Sequence, residues 1–229
     1  ANESAARLAR EKQIPFVYRI HETPSPEKID DLKSGLRRLN VEIPVFSQVK
    51  PAPLAEILTN AKDKPFYPVV NMMTLRSMAK AKYHTEPVGH FGLALDDYAH
   101  FTSPIRRYPD LFIHRVISQY LNDNNNKIEI KNDISTSKKV NLEEKQAIKI
   151  IKNKLPEEIY EKYIGQAEKY AEQSSECEKI AQKVERDAED VKKAEYMQNK
   201  IGEEYKGIIS SVTSFGIFVE LENTVEGLI

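Results

Sequence analysis

Cysteine is almost missing from this sequence: Cys177 is the single one in 229 residues, which excludes an internal disulfide. Net charge is nearly missing too. Lys and Arg together number 34 against 35 Asp and Glu, a formal balance of −1, so no overall field draws the chain to nucleic acid and any such attraction has to come from a local cluster. No apolar run approaches the ~18 residues of a membrane-spanning helix, and the opening ANESAARLAREK has neither an initiator Met nor an apolar signal core. A reducing cytoplasm and no membrane partner are the expectation from these absences. Metal-ligand patterns are also sparse. His84, His90 and His100 lack the i, i+4 spacing of a helical zinc pair and have no cysteine partner, so structural roles are expected for them. Asp96 and Asp97 could form half of a Mg²⁺ site, although a turn before Tyr98 is the better reading of the pair.

What is present begins with helical periodicity. Ala5, Ala6, Leu8 and Ala9 predict a first helix, and IPFVYRIH (14–21) has the β-branched and aromatic content of a strand. Ser25 as N-cap and Pro26 as first helical residue open a helix carrying Ile29, Leu32, Leu36 and Leu39. Pro44, Pro51 and Pro53 break up the next stretch before short helices around 54–62 and 66–80. Residues 121–139, rich in Asn, Lys and Ser, read as a surface loop. Pro156 leads into one helix, and Ser175-x-x-Glu178 is a capping box for another, with Cys177, Ala181, Val184, Ala188, Val191 and Ala194 at helical spacing. From Gly202 the period shortens, and EEYKGIISSV, GIFVEL and VEGLI predict three strands of an antiparallel meander. The chain starts within a helical pattern and stops on a strand, so it is expected to be an internal piece of a longer protein.

The chemistry concentrates in FTSPIRRYPD, residues 101–110. Ser103 before Pro104 predicts a helix from about 104 to 121, with free amides and a positive dipole end beside Arg106 and Arg107, an arrangement suited to an oxyanion such as a phosphate. Pro109 would then fall inside the helix and deprive the Ile105 carbonyl of its partner. Arg106, Asp110 and His114 follow one another at i, i+4, so Asp110 can accept from Arg106 or His114 and hold a guanidinium fork ready for bidentate phosphate contact. An internal Arg–Asp–His network with no ligand fits the same spacing. Arg107 taken alone reads as a solvated charge. Tyr83, Phe91, Tyr98, Phe101 and Tyr108 could stack nucleobases, but most aromatics beside an apolar helix are core.

The run HFGLALDDYAHFTSPIRRYPDLFIHRVI (90–117) closely resembles the late motif of the RNB-family exoribonucleases, and IPFVYRIHETPSPEKIDDL (14–32) is similar to the bacterial ribonuclease R type. GEEYKGIISSVTSFGIFVELENTVEGLI (202–229) resembles the beginning of the S1-type RNA-binding domain that follows in those enzymes. The Asn/Lys-rich 121–139 segment and the helix after it depart from the family pattern. The resemblance implies an α+β fold: residues 1–201 as the helix-rich C-terminal part of an RNB catalytic domain, and 202–229 as the N-terminal strands of a truncated OB-fold (S1-type) β-barrel.

For the longer protein the resemblance implies processive 3′-to-5′ hydrolysis of single-stranded RNA to nucleoside 5′-monophosphates with Mg²⁺. It makes Arg106 the catalytic arginine on the scissile phosphate, and places Glu185, in VERDAED, near the RNA 3′ end. Ser103, Arg107 and Tyr108 complete the expected RNA contacts, with Asp110 and His114 as their supporting network. The family's early aspartate motif has no counterpart here, so no metal ligand is assigned within the chain and the piece alone is expected not to cut RNA. An RNA-binding module without catalysis is the alternative.

Overall fold

The computed structural model describes residues 1–44, 49–125 and 155–229. They form two compact units, Ala1–Glu176 and Cys177–Ile229. The fold is α+β: helices dominate, with a two-stranded ribbon in the first unit and a three-stranded sheet in the second.

Helix α1 (Asn2–Lys12) buries Ala5, Ala6 and Ala9, small residues that let it lie close to its neighbours, and it stops on Gln13 in the left-handed conformation (φ 54°). The strand expected over 14–21 contracts to β1 (Tyr18–Ile20), antiparallel to β2 (Lys82–His84) with Arg19 opposite Tyr83. Ile14, Phe16 and Val17 are buried as their composition demands, but Pro15 has no N–H to give a ladder and β2 is only three residues long.

Helix α2 (Pro26–Arg38) starts as expected. The Ser25 hydroxyl accepts from the Lys28 amide at 3.4 Å, and Ile29, Leu32 and Leu36 are buried. Helix α3 (Pro51–Ala61) begins earlier than periodicity indicated, because Pro51 occupies the first helical position, where a missing N–H costs nothing. Helix α4 (Tyr67–Ser77) is shorter than the expected 66–80. Together α2, α3 and α4 enclose one core of Ile29, Leu32, Leu36, Leu54, Ile57 and Val70, capped by Phe91 from a short 3₁₀ turn, Phe91–Leu93.

A second core joins α1, β1, Tyr83 and helix α5 (Tyr108–Asn125), whose Phe112, Ile113, Val116 and Tyr120 form one buried face. Ala167 and Ala171 of helix α6 (Glu157–Gln198) close it. Helix α6 runs without a break through Ser175, so the separate helix expected there does not exist. Ser175 Oγ donates to the Ala171 carbonyl at 2.8 Å and accepts from the Tyr83 amide at 2.9 Å, serving a tertiary contact instead of a cap. Of the loop expected over 121–139, residues 121–125 are helical and the remainder lies outside the described residues.

In the second unit, β3 (Gly207–Thr213), β4 (Gly216–Leu221) and β5 (Glu226–Leu228) form the expected meander in sequential antiparallel order, with a bulge between Ile209 and Ser211. No described helix is long and apolar enough to cross a membrane.

Candidate functional site

Helix α5 does not start at Pro104. The Ser103 carbonyl accepts from the amides of Arg106 (3.3 Å) and Arg107 (3.1 Å), which makes residues 104–106 a turn, and the Arg107 carbonyl accepts from Leu111 at the head of the helix proper. Pro109 therefore lies in the first helical turn, where its missing N–H is harmless, and the expected disturbance at Ile105 does not arise.

Asp110 is the hub of this turn and is fully buried. Its Oδ2 accepts from the Ser103 amide at 2.7 Å and from Arg107 Nε and Nη2 at 3.2 and 2.8 Å. Asp110 thus pairs with Arg107, three residues back, and not with Arg106 or His114 as the helical spacing suggested. Arg106 belongs to the turn, so the helical face that would have joined it to Asp110 is absent. Arg107 is correspondingly no solvated charge, since its side chain is only 20 % exposed and ion-paired. A carboxylate already meets the positive end of α5, and the Ser103 amide is already used, so the free-amide cradle expected at a Ser103 cap does not form.

The remaining candidates take distinct places. Arg106 and Ile105 project from the turn into solvent, and among the described residues the Arg106 guanidinium has no hydrogen-bond or ion-pair partner. His114 Nε2 lies 2.8 Å from the Phe101 carbonyl oxygen, and its ring stacks on Phe101 at 4.3 Å between centroids. Tyr108 is exposed, with its ring edge-on to Tyr170 at 4.8 Å. Glu185 is exposed on the part of α6 that belongs to the second unit. Of the proposed stacking aromatics, Tyr83 and Phe91 are buried.

Sequence reasoning missed a group beside the turn. Tyr83 Oη lies 2.9 Å from His100 Nδ1, and the Arg19 guanidinium lies over the Tyr83 ring at 4.7 Å, a cation–π arrangement set by their cross-strand register. Burial, followed by the Arg107 and Arg19 charges, pushes the His100 imidazole down to about 4 against an opposing pull from Asp110, so the ring is neutral at pH 7. The ribbon register was the missing signal, and strands of three residues leave too short a pattern to read. Asp97 is buried and ion-paired to Arg10 at 3.0 Å, and among the described residues no three His, Cys, Asp or Glu side chains gather where they could hold a metal ion. The described residues do not fit a Mg²⁺ site.

Comparison with known proteins decides the family. The RNB domain profile matches residues 1–123, more than half of the chain, and the S1 RNA binding domain profile matches 198–229. The chain belongs to the RNB family. Among curated RNB relatives, ribonuclease R 1 of Lactococcus lactis is 38% identical over 230 residues, covering 100% of this chain and 24% of that protein. Ribonuclease R of Aquifex aeolicus is 38% identical over 231 residues, with 100% and 28% covered. The chain thus spans about a quarter of the length of these relatives. Among solved structures, Mycoplasma genitalium RNase R in complex with ribose-methylated single-stranded RNA superposes with a TM-score of 0.82 at 30% identity, covering 99% of this chain and 31% of that one. Yeast Ssd1, described as a pseudonuclease, has a TM-score of 0.60 at 20% identity over 100% of this chain and 25% of that one, which shows a shared fold alone.

Proposed function

We propose that this RNB chain is the phosphate-gripping part of a processive 3′-to-5′ exoribonuclease that hydrolyses single-stranded RNA to nucleoside 5′-monophosphates. Arg106 acts on the scissile phosphate. The observation that carries the reading is the contrast within the Arg106–Arg107 pair: one guanidinium is ion-paired to a buried aspartate, while its neighbour projects from the same pinned turn with no described partner. A planar fork held this way can donate two N–H groups to phosphoryl oxygens and offset the charge that grows on them as the bond breaks. Arg107 retains an amino group, Nη1, on the side away from its two bonds to Asp110, and with Ser103, Tyr108 and Glu185 it completes the proposed RNA contacts. The reading assigns Mg²⁺ to aspartates upstream of Ala1, includes a cytoplasmic setting, and keeps residues 1–201 as late RNB domain and 202–229 as the start of an S1 barrel. The isolated 229 residues would bind RNA without turnover.

Arg106→Ala in the full-length parent tests this by single-turnover degradation of single-stranded RNA. The expected outcome is a rate about 10²–10³-fold lower, the scale of losing one transition-state donor, with RNA affinity changed less than about tenfold. An unchanged rate overturns the reading. The second reading, an RNA-binding module without catalysis, draws on the lack of any metal-holding cluster among the described residues. It requires that the unmodified parent bind RNA and release no nucleotide.

A further inference from the structure

Helix α1 sends one side chain into the motif loop, at a position that neither the charge pattern nor the spacing of the motif singled out. Asn2 Nδ2 donates to the Tyr98 hydroxyl oxygen at 3.1 Å, and Asn2 Oδ1 accepts from the Phe101 amide at 3.1 Å. A carboxamide carries its donor and its acceptor on one rigid plane, so the two bonds coexist only when residues 98 and 101 keep a fixed separation and orientation. The tie does not stop there. The Phe101 carbonyl and ring are engaged by His114, and two residues later the Ser103 amide is engaged by Asp110. Side chains from two helices therefore fix the segment 98–103, α1 on one side and α5 on the other, and the turn carrying Arg106 begins immediately after it. Within that turn the backbone bonds run to the Ser103 carbonyl, and Arg107 just after it is held by Asp110, so the placement of Arg106 depends on the segment before the turn as well as on the helix after it.

Building on the proposed role of Arg106, we propose that Asn2 is a positioning residue for it. By stapling Tyr98 and Phe101 to α1, Asn2 sets where the Arg106 guanidinium stands when a phosphate arrives. Reaction rate is steeply sensitive to such placement, since a misplacement of about 1 Å far from the chemistry can cost about 10²-fold. The bonds are neutral and short in reach, so the loss on breaking them falls on geometry and not on the local charge that attracts RNA.

The test uses the full-length parent with three variants and single-turnover degradation of single-stranded RNA, alongside RNA affinity. Asn2→Leu keeps the volume and removes both polar atoms. It should lower the rate about 10²-fold while affinity changes less than about threefold. Asn2→Asp keeps an acceptor for the Phe101 amide and can accept from the Tyr98 hydroxyl, so it should recover at least about tenfold of that loss. Tyr98→Phe removes a single hydroxyl and guards against misfolding of the leucine variant; it should slow the reaction about three- to tenfold. In an Arg106→Ala background, Asn2→Leu and Tyr98→Phe should each add less than about twofold, because a residue that acts through another has nothing left to position. A normal rate in both Asn2→Leu and Tyr98→Phe, with Arg106→Ala impaired, overturns the role of Asn2 and leaves that of Arg106 standing. Losses that multiply in the double variants overturn it as well. Failure of Arg106→Ala itself to slow the reaction is a separate result, and it removes the reading on which the positioning role rests.

Discussion

His100 shows how a single residue can be tuned by neighbours that the motif itself supplies. Its ring meets Tyr83 edge-on at 5.6 Å and Tyr98 at 6.0 Å, and its charged form is opposed by burial and by Arg107, Arg19 and His90, with Asp110 alone favouring it. The folded value of about 4 lies below the ordinary 6.5, so the unfolded chain binds the proton more tightly. Stability contributed by the neutral ring is therefore complete above pH 6.5 and declines as pH falls towards 4. Discounted for the ring's partial contact with solvent, the loss across that window is on the order of 1–2 kcal/mol. Urea unfolding at pH 7 and pH 4.5, compared with His100→Gln, checks this. The wild type should lose more stability than the variant between the two pH values, and equal losses would assign the whole change to other titrating groups, His90 and the carboxylates among them. The same ring illustrates what the sequence hid at this scale. Arg107 and Asp110 were visible as charges near a helix start, but a spacing of three and one of four both place residues on one helical face. Which arginine Asp110 would choose depended on where the helix began.

Helix starts were legible where the signal was answered locally and misleading where a distant residue answered it first. Ser25–Pro26 and Ser103–Pro104 are the same two-residue signal. At the first, the hydroxyl accepts from Lys28 and the carbonyl from Ile29, so a helix follows. At the second, Asp110 takes the Ser103 amide and the carbonyl closes a turn, which delays the helix to Tyr108. The capping box at Ser175 failed for a related reason. Its hydroxyl accepts from the amide of Tyr83, 92 residues away in sequence, while the helix carries on past it. That contact ties α6 to the ribbon holding Tyr83 beside His100. Ser175→Ala removes the hydroxyl's bond to that amide at a cost of about 0.5–1.5 kcal/mol, set against the small gain in helix propensity that the substitution brings. Chemical denaturation measures it. A neutral or stabilising result would mean that water replaces the hydroxyl, and that α6 needs no side-chain bond to hold the ribbon.

At the scale of the whole molecule, apolar surface is distributed unevenly. The first unit encloses two cores, whereas in the second Ile208, Ile209, Val212, Phe215, Leu228 and Ile229 are each more than half exposed. The shortened period of EEYKGIISSV, GIFVEL and VEGLI announced three strands, and the meander formed in the predicted order, so secondary structure here was readable from local pattern. What period cannot show is whether anything covers the sheet. Among the described residues the sheet presents β3 and β5 as edges and offers apolar side chains along them, the combination that invites strand pairing between molecules. The chain should accordingly bind an apolar dye such as ANS in its folded state and associate with increasing concentration. Val212→Lys on the β3 edge and Phe215→Ser at the hairpin tip remove two of the most exposed groups without touching either core, and together they should reduce dye fluorescence by roughly half and shift sedimentation towards monomer. Substituting Leu75, an exposed apolar residue on α4 of the first unit, serves as the control. If Leu75→Lys suppresses association as strongly as the sheet variants, the sheet is not the adhesive surface, and the behaviour would have to arise from the helical unit.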